Sequence, residues 1–138
     1  AIETAMRRGE LLALRWEDID LAEKMACLRM TKNGPPRQVP LTPKAIALLE
    51  TIPRTSHRVF NVSSVALRMA WDRLLIRTDI TNLHFHDLRH EAISRFFEMG
   101  LSVPEVALIS GHKTPSQLFR YTNLRPRDLV QKLSTLTQ

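Results

Sequence analysis

Apolar positions in the second half of the chain recur at helical spacing. Leu88, Ala92, Ile93, Phe96 and Phe97 fall on one face, which predicts a helix from His86 to Met99 closed by Gly100. Ser102 then stands before Val103, Val106, Ala107 and Ile109, a short capped helix ending at Gly111. Thr114-Pro115 opens another short helix that leads to Tyr121. Leu129, Val130, Leu133 and Leu136 make one stripe on a final amphipathic helix from Arg127 to about Leu136. Upstream, Thr4 is placed to cap a helix through Leu14, although Gly9 inside it costs about 1 kcal/mol relative to alanine. Thr42-Pro43 introduces a helix from Lys44 to Thr51, and Ser63 or Ser64 caps one running to about Ile76.

The pattern changes between the first and second of these helices. Glu17-Asp18-Ile19-Asp20 reads as a polar turn. From Met25 to Thr31 the apolar positions alternate, with Ala26, Leu28 and Met30 on one face of a strand. Asn33-Gly34-Pro35-Pro36 is a turn, and Arg37 to Leu41 returns as a second strand that Pro40 confines to an edge or an end. Lys32 stands where the first strand enters that turn. Arg58 to Val62 reads as a third short strand. The predicted class is therefore α+β and mainly α-helical, with helices packed on a small antiparallel three-stranded sheet. No internal repeat, linker or low-complexity tract divides residues 1–138, which form one domain.

Composition narrows the function classes. The 138 residues carry 20 Lys+Arg against 14 Asp+Glu, a net charge of +6. The excess lies almost wholly after residue 50, and arginine outnumbers lysine 15 to 5. Arginine's planar fork suits bidentate phosphate contacts, so the surplus fits a nucleic-acid surface; a merely solvated basic face fits it equally well. A lone cysteine, Cys27, excludes an internal disulfide framework. No apolar run approaches the roughly 18 residues of a membrane helix, and Ala1-Ile2-Glu3-Thr4 does not open a signal peptide. The chain starts without Met and enters a helical pattern at once, so it is expected to be a piece of a longer protein.

Four segments carry groups able to do chemistry: Met6-Arg7-Arg8-Gly9-Glu10, Thr31-Lys32-Asn33-Gly34, His84-Phe85-His86-Asp87-Leu88-Arg89-His90, and Ser110-Gly111-His112 with Tyr121 nine residues on. Each also has an ordinary structural reading. Arg7 and Lys32 can be solvated surface, His86 and Arg89 a hydrogen-bonded pair three residues apart on one helix face, His112 a helix terminus, and Tyr121 a core ring. His86 and His90 stand at i, i+4, yet His90-Glu91-Ala92-Ile93-Ser94 lacks a metalloprotease helix's second histidine, and no cysteine pair completes a zinc site. Walker, dinucleotide and Gly-x-Ser-x-Gly motifs are missing from the sequence.

Taken in order, these segments resemble the catalytic domain of tyrosine recombinases, the phage integrase family. Met6 to Asp20 looks like the family's first arginine box and Lys32 matches its hairpin lysine. His86-Asp87-Leu88-Arg89-His90 looks like the second box, Gly111-His112 supplies the second histidine, and Tyr121 stands at the nucleophile's place. The resemblance runs from Thr4 to about Leu124. Two positions depart from it. Ala5 replaces a frequent glycine, a change expected to leave Arg7 in place, and Ser110 replaces a common leucine, which is expected to loosen packing beneath His112.

The resemblance implies site-specific recombination of double-stranded DNA. Tyr121 would cleave a strand to a covalent 3′-phosphotyrosine and later rejoin it, with no metal and no cofactor. Arg7 and Arg89 would hold the phosphate and His112 would donate to it. His86 would take the tyrosine proton and Lys32 would supply one to the leaving 5′-oxygen. Glu10 would orient Arg7 or a histidine, and His90 would support. A type IB topoisomerase-like activity and a non-catalytic DNA-binding remnant are the alternatives, with a metal-dependent nuclease a third. The resemblance further implies an upstream core-binding domain, a homo-oligomer (a tetramer on paired sites), a bacterial or phage origin, and a cytoplasmic, nucleoid-associated location without a membrane. The final helix is then free either to dock on a neighbouring subunit or to pack on its own domain.

Overall fold

The computed structural model describes residues 1–29, 35–123 and 125–137. Lys32 and Leu124 therefore lie outside the described residues. The helices are α1 (Arg8–Ala13), α2 (Pro43–Thr51), α3 (Ser64–Thr78), α4 (Asp87–Glu98), α5 (Val103–Ser110) and α6 (Pro126–Leu136), with 3₁₀ turns at Trp16–Asp18 and Pro115–Tyr121. Strands β1 (Ile19–Asp20), β2 (Met25–Leu28) and β3 (Arg37–Pro40) form one antiparallel sheet in the order β1-β2-β3.

The α+β class with a three-stranded sheet is as expected, but the third strand is not. Ile19–Asp20, read as a polar turn, pairs with β2 as Ile19 opposite Ala26 and Asp20 opposite Met25. Arg58 to Val62 forms no strand and keeps a single bridge, Arg58 to Arg15. The Trp16 amide donates to the His57 carbonyl and the Val59 amide to that of Leu14, which fastens this segment beside the end of α1. The first helix also starts later than Thr4. Ala5 takes a left-handed conformation (φ 56°), so the helical path cannot pass through it. Arg7 becomes the N-cap, while the Thr4 hydroxyl turns inward to accept from the Met6 amide at 3.3 Å.

Other boundaries follow local chemistry. The Thr42 and Ser63 hydroxyls accept from Ala45 and Ala66, capping α2 and α3. Ser102 and Glu105 form a reciprocal capping box on α5, and Gly111 ends that helix at φ 79°.

Two apolar clusters result. One is built on the sheet, α1 and α2 from Met6, Leu14, Ala26, Leu28, Val39 and Leu49, among others. The second lies among α4, α5 and the 3₁₀ helix: Ala5, Ala92, Ile93, Phe96, Val106 and Leu118. Ala5 and Met6 are consecutive residues, yet each is buried in a different cluster. The chain thus crosses the seam between the two cores immediately before Arg7, and Ile109 packs against both. Helix α3 stands apart. It docks through Trp71, whose indole donates to the Leu83 carbonyl at 3.1 Å and meets Phe85 edge-on. No described helix is long and apolar enough to cross a membrane.

Candidate active site

The seam between the cores collects charge. Glu10, only 5% exposed, points inward from α1 and accepts from the Arg7 amide at 2.8 Å. Arg37 reaches it from β3 through two guanidinium nitrogens, one at 3.1 Å, and its Nε donates to the Ile109 carbonyl at 3.0 Å. Burial pushes the Glu10 carboxyl up. The bonds from Arg37 and the Arg7 amide, with both positive charges, outweigh that and hold it below the usual carboxylate value. Gly111 packs on the same guanidinium: a Cβ there would stand 2.9 Å from Arg37 Nη1.

Arg89 comes from the buried face of α4 and is 3% exposed. Its Nη1 donates to the carbonyl of Ala5, the residue held at positive φ. Its Nη2 is buried without a hydrogen-bond partner among the described residues. Burial, then the neighbouring Arg7 charge, lowers its pKa to about 10, with Glu10 acting in the opposite direction. Arg89 therefore stays charged at neutral pH.

His112 follows Gly111 at the end of α5, and its Nδ1 lies 2.6 Å from Ser110 Oγ. Ser110 is completely buried, so its hydroxyl holds the ring and does not loosen the packing beneath it. Burial, then Arg89, Arg7, Arg120 and Arg37, lowers the His112 pKa to about 4. The ring is neutral at pH 7.

Tyr121 closes the 3₁₀ helix. Its ring stacks at 6.4 Å on Phe97, and Arg120 Nη2 donates to its hydroxyl at 3.0 Å. The histidine that touches this hydroxyl is His90, through Nδ1. The expected partner, His86, is the exposed N-cap of α4 and meets the His90 ring edge-on, with centroids 4.9 Å apart. The structure therefore brings Arg7, Glu10, Arg89, His90, His112 and Tyr121 to one seam, with His86 at its rim. Lys32 is outside the described residues.

Arg37 was missed from the sequence, although a signal was present. It shares a strand face with Val39 and Leu41, both buried. An arginine on the inward register of a strand needs a carboxylate partner. Beside Arg7 and His86, an open cleft of about 770 Å³ runs to α3 and is lined also by Arg8, Arg68, Trp71 and His84.

A cluster of cations around the Glu10 carboxylate, with a tyrosine hydroxyl at its edge, is an arrangement able to hold an anion beside a phenol. The comparisons give it a family. The phage integrase family model matches residues 1–127, and the chain belongs to that family. It is 53% identical over 135 residues to a shufflon-specific DNA recombinase of Escherichia coli, covering 96% of this chain and 35% of that one. The chain thus spans about a third of the length of that curated relative. Its fold matches the catalytic domain of bacteriophage HP1 integrase (TM-score 0.74, 22% identity, 96% of this chain and 76% of that one). It also matches a Tn1549 transposon integrase in complex with a circular intermediate DNA (TM-score 0.79, 13% identity, 99% and 56%).

Proposed function

We propose that this chain is the catalytic domain of a site-specific DNA recombinase in which Tyr121 attacks a phosphodiester and becomes linked to the 3′-phosphate. One observation carries the reading. Arg89 is buried beside Arg7 with an Nη2 that has no partner among the described residues, and the nearby Glu10 carboxylate is already engaged by Arg37. Like charges gathered in this way are stabilised by an incoming anion. A phosphodiester under attack supplies one, because its equatorial oxygens gain negative charge in the transition state.

Arg7 and Arg89 clamp those oxygens. His112, neutral and held by Ser110, donates one N–H. Glu10, itself fixed by Arg37, holds Arg7 in place. Lys32 protonates the leaving 5′-oxygen. The bond energy is kept in the phosphotyrosine, so rejoining needs no external energy source. The cleft between α1 and α3, with Arg8 and Arg68 on its walls, suits a nucleic-acid backbone. The DNA-bound relative supports DNA as partner, and a tetramer on paired sites is the working assembly. Helix α6 leaves Leu129, Val130, Leu133 and Leu136 exposed, a stripe suited to docking on a neighbouring subunit.

A nicked suicide duplex that loses its 5′ fragment tests the reading. The wild-type protein should form a protein–DNA adduct that survives denaturation, and Tyr121→Phe should form none. An adduct of equal yield from Tyr121→Phe would refute the nucleophile. For Lys32, Lys32→Ala should cleave normal DNA slowly and recover on a 5′-thiol leaving group; no recovery would remove it as the acid.

A further inference from the structure

We propose that His90, and not His86, is the group that takes the proton from the Tyr121 hydroxyl, and that Arg120 steers the oxygen while it does so. The inference rests on Tyr121 being the nucleophile. Three features of the structure lead to it.

First, His90 Nδ1 is the ring nitrogen in contact with the hydroxyl, and among the described residues the other polar contact is a donor, Arg120 Nη2 at 3.0 Å. With Arg120 donating to the oxygen, the phenolic proton is directed to the imidazole in the tautomer that carries its proton on Nε2. Oη spends its proton on His90 and one lone pair on Arg120, which leaves electron density for phosphorus. Second, the rings of His90 and Tyr121 are close to parallel, at 27° and 6.0 Å, and Phe97 also stacks on the tyrosine, at 23° and 6.4 Å. The pair is fixed by packing as well as by the hydrogen bond. Third, His86 is exposed at the helix N-cap and meets the edge of the His90 ring, with no hydrogen bond to the Tyr121 hydroxyl among the described residues.

The groups that face His90 are His86, Asp87 and Arg89 on α4 and Arg120 and Tyr121 on the 3₁₀ helix. Burial, then the charges of His86 and Arg120, lowers its pKa, against a smaller opposing effect of Asp87. It is thus unprotonated, and able to accept, at neutral pH.

The step balances. The Oη–P bond forms as the P–O5′ bond breaks. The Oη proton passes to His90 Nδ1, and the leaving 5′-oxygen receives a different proton from the acid assigned to Lys32. On rejoining, the 5′-hydroxyl attacks, the phosphotyrosine bond breaks, and His90 returns its proton to Oη.

The test uses the protein expressed from its full reading frame, with single-turnover adduct formation on the suicide duplex. His90→Ala and His90→Asn should each slow the adduct about 10²- to 10⁴-fold at neutral pH. Replacing Tyr121 with a fluorinated, more acidic tyrosine should restore at least about tenfold of that loss in the His90 variants and leave His86→Ala unrescued. A purely structural role for His90 predicts no such rescue. Wild-type rates in the His90 variants, or rescue confined to His86→Ala, overturn the proposal. In the unmodified protein, ¹⁵N spectroscopy should find the His90 ring protonated on Nε2 and bare at Nδ1. A proton resident on Nδ1 overturns it without any variant needing to fold. Failure of the wild type to form an adduct, or an adduct from Tyr121→Phe, would instead sink the recombinase reading itself.

Discussion

Gly111→Ala is a one-methyl change, yet its effect should exceed that of most core truncations at similar cost in atoms. Two contributions add. The residue sits at φ 79°, where an L side chain costs about 1–2 kcal/mol. The new Cβ would also stand 2.9 Å from Arg37 Nη1, 3.0 Å from Cζ and 3.1 Å from Nε. An arginine tip usually gives way cheaply. This one is tied to Glu10 and to the Ile109 carbonyl, and its side chain is 13% exposed. Moving it lengthens hydrogen bonds to a buried carboxylate, each worth about 1.5–3 kcal/mol. The total expected loss is about 3–4 kcal/mol. Urea unfolding measures it, by midpoint at constant m-value. The decisive comparison is a background in which Glu10→Gln and Arg37→Met remove both charges together. There Gly111→Ala should retain only its backbone cost, so the coupling should reach about 2 kcal/mol. An equal cost in both backgrounds would show that the guanidinium moves freely and that the clamp over the seam is not rigid.

Other outcomes follow from single features. Arg89→Lys replaces a fork by a point charge, so single-turnover cleavage should fall by about 10²-fold or more while DNA affinity falls less; parallel losses in both assays would contradict the role of its free Nη2. His112 is held neutral in the folded chain down to about pH 4, whereas an unfolded histidine takes a proton near 6.5. Its contribution to stability is thus complete above about pH 6.5 and lost as the pH falls towards 4, and a pH series of urea midpoints should be flatter across that window in His112→Gln. Ser102→Ala removes half of the α5 capping box and should cost about 1 kcal/mol in the same unfolding assay.

The long helices were legible because their signals are local. Thr42, Ser63 and Ser102 each cap the helix they precede, and α4 buries Ala92, Ile93 and Phe96 as their spacing requires. The errors arise where a distant residue decides. Ala5 leaves the helical path while its carbonyl receives Arg89, 84 residues away. Ile19–Asp20 is too short to show an alternating pattern and becomes a strand only because β2 is beside it. The candidate site was visible as residue types in order, but not as pairings. Which of His86 and His90 meets Tyr121 depends on how the 3₁₀ helix lies on α4, and no spacing within either segment records that. Arg37 was passed over because its partner, Glu10, is 27 residues upstream.

The bonds that build the seam have a consequence for when activity can exist. Arg37 to Glu10, Tyr121 to His90, Arg37 to Ile109 and Arg89 to Ala5 join residues 27, 31, 72 and 84 positions apart. Long chain loops must close before any of them forms, and the entropy of closure is not recovered until the helices pack. During synthesis the sheet and α2 can be complete while Tyr121 is still to come. Tyr121 is then the last part of the seam to arrive. A half-made polypeptide can carry the cations of the seam but, under the proposed mechanism, lacks the hydroxyl that forms the covalent link.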